Sequence, residues 1–318
     1  MAGRVPTVED PGVVAGRQAE MVLKQMVGTH LSHRGASLWG GRRVPRRRDG
    51  GSREIDLIVC SRKMIHLIEV KNWSGELIDK GNVWKQVRRS GETKKHANLI
   101  EDNLEKRFHF VQYLRDNGIS IDADFLRRHI CQKVIFMNPR LRLPHSISNH
   151  PDVITCNSLP SYLNQQSPRR SAERILCSVI DLCLRSEASE IVQERLYGSM
   201  SARRFKAIES AISRLRTWDQ LRLFGTKVLI GDLVKLTIGS SVFVRDSVKA
   251  NGPLKLKWTR GTIAGLLKAI TGLGQLGKAS LGRIRLPLSP DDTVKFHIVG
   301  RKSPTVCKLI DVDNIILG

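Results

Sequence analysis

The chain has 318 residues, of which 41% are hydrophobic and 5% aromatic, and its formal net charge is +23. This length can bury a substantial core and form two domains, and the charge favours a polyanionic partner such as nucleic acid or an anionic membrane surface. The scarcity of aromatic residues argues against a broad base-stacking platform, and no apolar run reaches the roughly 18 residues that a membrane span needs.

The first stretch with a clear pattern is a helix predicted over Val13–Val27, after a loose arm at residues 1–12. Its apolar residues recur at helical spacing, and Glu20 lies at the edge of that stripe, where it can face inward. A short strand is expected at Ala36–Trp39, followed by a Gly- and Arg-rich loop over Gly40–Arg53. The arginines of this loop are candidates for phosphate contacts: Arg42, Arg43, Arg46, Arg47 and Arg48. A solvated surface loop is an equally compatible interpretation, and a nuclear-import signal is a further alternative.

A β-hairpin is predicted next, because Ile55–Cys60 and Met64–Val70 are short, apolar and rich in β-branched residues. Three charged residues interrupt these strands, namely Asp56, Glu69 and Lys71. Glu69 and Lys71 are two residues apart and so share one face of their strand. Burying a carboxylate costs several kcal/mol, about 3–5, unless a cation compensates it. The hairpin therefore indicates a cation site.

Helix is predicted from about Asn82 to Asn117, with a basic first part that contains Gln86, Arg88 and Arg89. Its later apolar residues recur at helical spacing and are expected to form its buried face: Ala97, Ile100, Leu104, Phe108, Val111 and Leu114. Strands follow at His129–Asn138 and Asp152–Cys156, and a short helix starts at Ser158. Strands interspersed with helices in this order predict an α/β domain with a mixed sheet and helices on its faces. We expect this domain to span residues 13–164.

Residues 165–220 are predicted to be a helical linker region, with helices at Ala172–Arg185 and Ser201–Leu215. Residues 221–318 contain short strand-like runs separated by Gly, Asn and Pro, which predicts a small basic β-barrel or sandwich. The segment Gly261–Gly282 interrupts these strands with apolar residues at helical spacing. It is predicted to be an insertion packed on the barrel, and the alternative is a helix on an anionic membrane surface.

The spacing D–x(12)–E-x-K, formed by Asp56, Glu69 and Lys71, supplies the parts that phosphodiester hydrolysis needs. Mg²⁺ or Mn²⁺ prefers oxygen ligands, which Asp56, Glu69 and the carbonyl of Val70 offer. Such a cation stabilises charge on the phosphate and lowers the pKa of a bound water. Lys71 would orient or deprotonate that water and offset charge in the transition state.

This constellation resembles the PD-(D/E)XK nuclease superfamily, which has the restriction-endonuclease-like fold. Three segments together are similar to the nuclease-related domain called NERD: GRQAE from Gly16 to Glu20, Glu54-Ile55-Asp56, and IEVKNWSG from Ile68 to Gly75. The similarity extends over about Val13–Leu114. It implies that Glu20 completes the metal site and that Gln86 can join it. No proline precedes Asp56, which departs from the superfamily's name.

Two readings of the whole chain follow. The first is a Mg²⁺-dependent nuclease acting on DNA, with a C-terminal half that holds nucleic acid. The second is a catalytically silent protein that binds nucleic acid through a nuclease fold. In the C-terminal half the cations outnumber the acids and are spread along the sequence, which suits sequence-independent phosphate contacts or a solvated basic surface.

The cysteines give an expectation about compartment. None of the six forms a C-x-x-C pair, so we expect free thiols in a reducing, intracellular compartment, with the nucleus possible in a eukaryote. They are Cys60, Cys131, Cys156, Cys177, Cys183 and Cys307. The first residues, MAGRVPTVEDPG, lack the apolar core of a signal peptide.

Overall fold

The computed structural model describes residues 11–31, 35–47, 51–165, 198–225, 227–251, 254–258, 277–281, 284–299, 301 and 303–318. The chain divides into two compact units, with the boundary between Arg216 and Thr217. The predicted linker at 165–220 therefore belongs to the first unit up to Arg216 and to the second unit from Thr217.

The first unit contains helices and strands in alternation. In chain order they are α1 (Pro11–Leu31), β1 (Ser37–Pro45), β2 (Ser52–Cys60), β3 (Ile65–Lys71), β4 (Gly75–Lys80), β5 (Val83–Val87), β6 (Thr93–Ala97), α2 (Leu99–Asp116), α3 (Ala123–His129), β7 (Ile130–Phe136), β8 (Leu141–Arg142), α4 (His145–Ser148), β9 (Val153–Thr155), α5 (Leu159–Gln165) and α6 (Ala202–Ser213).

A five-stranded mixed sheet lies at the centre of this unit, in the order β1-β2-β3-β7-β9. Strand β2 is antiparallel to both β1 and β3, and β7 and β9 continue the sheet in parallel with β3. The predicted hairpin is confirmed: β2 and β3 pair antiparallel, and the Ser61 amide donates to the Met64 carbonyl at 3.0 Å in the connecting turn.

Helices cover both faces of the sheet, which confirms the predicted α/β class. The apolar stripe of α1 recurs every four residues and packs against one face, through Ala19, Leu23, Val27 and Leu31. Helix α2 lies against the other face, and α6 contributes to the same cluster through Ile208, Ala211 and Ile212. The second predicted helix of the linker region thus exists, and its apolar side is part of the core of the first unit.

The helix predicted to begin near Asn82 is wrong in its first half. Strands β4, β5, β6 and β8 form a second sheet, and α2 begins only after Asn98, whose side-chain oxygen accepts from the Ile100 amide at 3.0 Å. Within β5 the buried residues alternate, with Trp84 and Gln86 inside, which is the period of a strand. Gly91, at φ +83°, supplies the left-handed turn that leads into β6.

The buried face of α2 also differs from the prediction. Val111 and Leu114 are buried as expected, but Leu104 and Phe108 are 49% and 58% exposed. The buried positions instead include the polar side chains of Asn103 and Lys106. A sequence pattern that counts only apolar residues misplaced the helix face, because two polar residues occupy positions directed at the sheet.

The Gly- and Arg-rich segment over Gly40–Arg53 is only partly a loop. Strand β1 extends through Pro45 and pairs with β2, with Arg42 opposite Ile55 and Arg43 opposite Glu54. Gly41, at φ +57°, is in the left-handed region within this strand.

The second unit is rich in strands. They are β10 (Asp219–Leu223), β11 (Val228–Ile238), β12 (Ser241–Val244), β13 (Leu254–Trp258), β14 (Gly277–Leu281), β15 (Ile284–Leu288), β16 (Thr293–Ile298), β17 (Thr305–Lys308) and β18 (Val312–Ile316), with helix α7 (Arg245–Asn251) after β12 and a 3₁₀ turn at Leu309–Asp311. One sheet has the order β17-β16-β11-β10-β18 with β12 beside β11, and the other has the order β13-β14-β15. A shared apolar cluster forms the core.

Two predicted helices cannot be compared in full. Ala172–Arg185 lies outside the described residues, as do residues 261–276 of the predicted amphipathic segment, whereas Gly277–Leu281 of that segment forms strand β14. No helix in the described part of the chain is long and apolar enough to cross a membrane. Among the described residues Cys60, Cys131, Cys156 and Cys307 are free thiols.

Candidate active site

The site begins where the hairpin ladder ends. The last paired residues of β2 and β3 are Leu57 and Ile68, and one further step of this register brings Asp56 opposite Glu69. At that step the Asp56 carboxylate accepts a hydrogen bond from the Val70 amide, with 2.7 Å between Val70 N and Asp56 Oδ2. The two predicted carboxylates therefore lie side by side at one end of the hairpin.

Glu69 is held by two lysines. Lys71 Nζ donates to Oε1 at 2.5 Å, and Lys106 Nζ donates to Oε2 at 2.5 Å. Burial acts to raise the pKa of Glu69, whose residue is only 5% exposed, but the two lysines hold it below its usual value. Glu69 is therefore an ionised carboxylate in the interior, as the sequence predicted for a compensated charge.

Lys106 is the residue that the sequence analysis missed. It lies on α2, is 6% exposed, and also faces the Asp102 carboxylate at 3.4 Å. Burial acts to lower its pKa, yet Glu69 and Asp56 raise it above the usual value, so it remains an ammonium. The spacing of residues along the helix could have identified Lys106. Intervals of four, three and four residues separate Leu99, Asn103, Lys106 and Phe110, so these residues share one helix face.

The pKa values of Asp56 and Glu20 are raised, whereas that of Glu69 is lowered. Burial and the neighbouring Glu69 raise the pKa of Asp56 well above its usual range, against the opposing effect of Lys71. Burial, followed by Glu54 and Glu69, raises the pKa of Glu20 to about 7, while Lys71 and Arg17 oppose the rise. Glu20 on α1 is thus close enough to the hairpin carboxylates for mutual repulsion, and its place in a metal site stays a prediction.

Glu54 is a further carboxylate that the sequence analysis did not assign to the site. It precedes Asp56 by two residues on β2, which places it on the same side of that strand. Its charge is the second cause of the raised pKa of Glu20. The residues that could hold a cation therefore number four carboxylates: Glu20, Glu54, Asp56 and Glu69.

This donor set suits a hard divalent cation in its chemistry, because all the ligands are oxygens. Burial is the main reason that the pKa values of Asp56 and Glu20 are raised, and repulsion from neighbouring carboxylates adds to it. Within the described ranges, no three His, Cys, Asp or Glu residues already have the arrangement of a metal-binding group. Each oxygen of Glu69 accepts from one lysine and keeps a second lone pair, so a cation bound at Glu69 would lie close to both ammonium groups.

Gln86 lies on β5 and not on a helix. It is 3% exposed, its amide donates to the Ser74 carbonyl at 2.8 Å, and its Oε1 lies 3.1 Å from His96 Nε2. The His96 ring stacks on Trp73 with 3.9 Å between ring centroids. Burial and the positive charges of Lys94, Lys71 and Arg88 lower the pKa of His96 to about 4, so this imidazole is neutral near pH 7.

The candidate phosphate-binding arginines have different environments. Arg42 donates to the Leu215 carbonyl at 2.7 Å, Arg43 donates to Ser52 Oγ at 3.0 Å, and Arg47 pairs with Asp116. Each of these three guanidinium groups therefore already has a partner within the first unit. Arg46 is partly buried, and Arg48 lies outside the described residues.

Arg88 and Arg89 are exposed in the turn between β5 and β6. Arg88 donates to Glu92 at 2.8 Å and contributes to the low pKa of His96, as does Lys71. Arg88 and Arg89 are more exposed to solvent than Arg42 and Arg43, which are partly buried.

Comparison with known proteins gives a single positive result. No curated protein and no solved structure matches the chain. The family model described as the nuclease-related domain, NERD, matches residues 15–137, which is less than half of the 318 residues but contains most of α1, the hairpin and α2. The resemblance inferred from the sequence motifs is therefore confirmed: the segment that carries Glu20, Asp56, Glu69, Lys71 and Lys106 matches the nuclease-related domain family.

Proposed function

We propose that this chain is a metal-dependent nuclease that hydrolyses phosphodiester bonds, with DNA as its substrate. The observation that carries the proposal is the convergence of Asp56, Glu69 and Lys71 at one end of the hairpin, within a segment that matches a nuclease-related family. We further propose that this unit has the restriction-endonuclease-like fold and that the strands of Thr217–Gly318 form a barrel or sandwich.

The proposed roles follow from the contacts. Asp56, Glu69 and Glu20 would hold Mg²⁺ or Mn²⁺ together with the Val70 carbonyl. When bound, such a cation would stabilise charge on the scissile phosphate and lower the pKa of a water ligand. Lys71, which now donates to Glu69, would turn to orient that water and offset the developing negative charge. Lys106 would act as a positioning residue through its bond to Glu69.

One observation favours a second candidate, a protein that binds nucleic acid without cutting it. The lysines on both oxygens of Glu69 already supply the positive charge that a metal would bring. A site stabilised in this way could remain closed to metal. The two candidates differ in one measurable property, which is cleavage in the presence of a divalent cation.

The test is incubation of the purified chain with single- and double-stranded DNA and RNA, with Mg²⁺, Mn²⁺ or EDTA. We expect cleavage of DNA with either metal, none with EDTA, and loss of cleavage in Asp56→Asn and Lys71→Met. Glu101→Gln, an exposed carboxylate in the first turn of α2, is the matched control and should cleave like the natural chain. Nucleic-acid binding with no cleavage under any metal would favour the silent protein, and cleavage that survives Asp56→Asn would contradict the assigned site.

A further inference from the structure

The three-stranded sheet of the second unit carries all of its cations on one face. In its register Lys255 lies opposite Ser280, and Lys257 lies directly opposite Lys278. Strand β15 adds Arg285, also opposite Ser280. Because residues paired across antiparallel strands have their side chains on the same side of the sheet, these four cations form one surface. We call Lys255, Lys257, Lys278 and Arg285 the basic sheet face.

The direction of this face is fixed by the core. Several alternate positions on the same strands hold apolar residues of the buried cluster of the second unit, namely Leu254, Ala279, Leu281 and Leu288. A slip of one residue would exchange the two faces and bury the cations, so the hydrophobic pattern specifies the register. All four basic residues are exposed to solvent.

The strands of the basic sheet face supply no carboxylate of their own to pair with its cations. The three strands read LKLKW, GKASL and IRLPL, so they contain no acidic residue. Lys257 and Lys278 occupy directly opposed positions, where like charges destabilise a sheet. This concentrated positive charge lies on an exposed face, although repulsion between the lysines destabilises the sheet. The face is therefore complementary to a polyanion.

We infer that the basic sheet face binds the phosphate backbone of nucleic acid without preference for base sequence. Successive outward residues on a strand are about 6.7 Å apart and adjacent strands about 4.8 Å apart, so the four cations can contact several phosphates of a backbone that carries a charge about every 1.7 Å of duplex axis. The outward positions also hold Ser280 and Pro287 but no aromatic residue, which leaves phosphates and not stacked bases as the contact.

Nucleic acid is favoured over an anionic membrane for a chemical reason. The outward positions of the three strands offer no long apolar or aromatic side chain that could enter the acyl region, which interfacial binding normally uses. The inference extends the proposed nuclease function, because it supplies a polymer-holding surface on the second unit. It concerns binding alone, however, and does not require the hairpin site to be active.

The test measures binding of a labelled DNA duplex by the full chain in EDTA, by fluorescence anisotropy, at salt concentrations from about 50 to 200 mM. The variant replaces Lys255, Lys257, Lys278 and Arg285 with Gln. We expect the slope of log K against log [salt] to become shallower by about 3–4, because each lost phosphate contact removes about 0.9. Duplexes of different sequence should lose affinity equally.

A matched control removes the same charge from the other sheet of this unit, through Gln substitutions at the exposed Arg222, Lys235, Lys295 and Lys308. If this control lowers the slope as much as the first variant, the effect belongs to net charge and the inference is overturned. The double variant Lys257→Gln/Lys278→Gln guards against misfolding, since it relieves a repulsion; it should fold normally and reduce the slope by about 2.

Two further outcomes separate the alternatives. If the four-residue variant binds DNA normally but loses binding to phosphatidylserine vesicles, the face recognises lipid and the inference fails. Cleavage assays on the same samples are independent of this result. A chain that never cleaves but shows the expected loss of slope would disprove the proposed nuclease activity and leave the binding face intact.

Discussion

Lys106 Nζ on α2 lies 2.5 Å from Oε2 of Glu69 on β3, and both residues are nearly inaccessible to solvent. This bond joins the helix on one face of the sheet to the strand that carries the E-x-K motif. It also completes the compensation of Glu69, whose other oxygen is bonded to Lys71. The candidate site therefore contains two lysines. Lys71 belongs to the E-x-K motif, whereas Lys106 belongs to no recognisable motif.

Replacing Lys106 with Met should lower the free energy of unfolding by about 3 kcal/mol, because removal of one partner leaves a buried charge undercompensated. Denaturation in urea measures the change. Lys80→Met, at an exposed position at the end of β4, is the control and should cost less than about 0.5 kcal/mol. In a Glu69→Gln background the effect of Lys106→Met should shrink; an undiminished effect would show that the two side chains are not coupled.

The stability of the metal-free protein should depend on pH through Glu20. Its pKa is 4.5 in an ordinary environment and about 7 in the fold, so between these values the folded state binds more protons than the unfolded state. The free energy of unfolding must then fall as pH rises from 4.5 through 7. After allowance for partial exposure, the loss is about 1 kcal/mol.

Glu20→Gln should remove this loss. Measured in EDTA, the variant is expected to be more stable than the natural chain at pH 8, and the difference should diminish as pH falls towards 4.5. Glu101→Gln is the exposed control and should leave the pH profile unchanged. A natural chain whose stability is constant across this window would show that Glu20 is not held in the environment described.

Mg²⁺ should stabilise the folded chain if the carboxylates bind it. At about 100 times the dissociation constant, one site contributes about 2.7 kcal/mol, and Tm rises by several degrees in a thermal scan. Asp56→Asn and Glu69→Gln should show little or no rise, whereas Glu101→Gln should respond like the natural chain. An equal rise in Asp56→Asn would mean that the metal binds elsewhere.

Gln86 offers a separate test of its predicted place in the site. Gln86→Leu leaves the Ser74 carbonyl and His96 without their partner, at a cost of about 1–3 kcal/mol in free energy of unfolding. Gln86→Glu retains the acceptor towards His96 but loses the donor to Ser74. If Gln86 acts in cleavage, both variants should lose cleavage rate at temperatures where both remain folded. Normal rates would restrict Gln86 to a structural role.

The chain-local parts of the fold were predictable from the sequence. The hairpin followed from two β-branched runs with a short turn. Strand alternation put Glu69 and Lys71 on one face, and helix periodicity allowed Glu20 to face inward. Such signals are short-range, because the alternation of side chains is set by the backbone itself. The sequence also indicated the nuclease-related family, since the motif consists of three short segments, each contiguous in the chain.

The region around Gln86 shows the limit of that reasoning. Charged and amide residues near Trp84 fit a helix start as well as a strand, and their assignment to β5 depended on pairing with β4 and β6. Strand propensity is governed by such neighbours more than by the residues themselves.

What the sequence by itself determined was the hairpin, its three charged residues and the strong positive charge of the chain. Only the tertiary structure decided which distant residues join them. Lys106 is 37 residues from Glu69 in sequence, and Lys257 faces Lys278 across a strand pair. Both relationships arise because burial of apolar faces fixes how helices and strands pack, and that packing brings polar groups together at positions that no local pattern encodes.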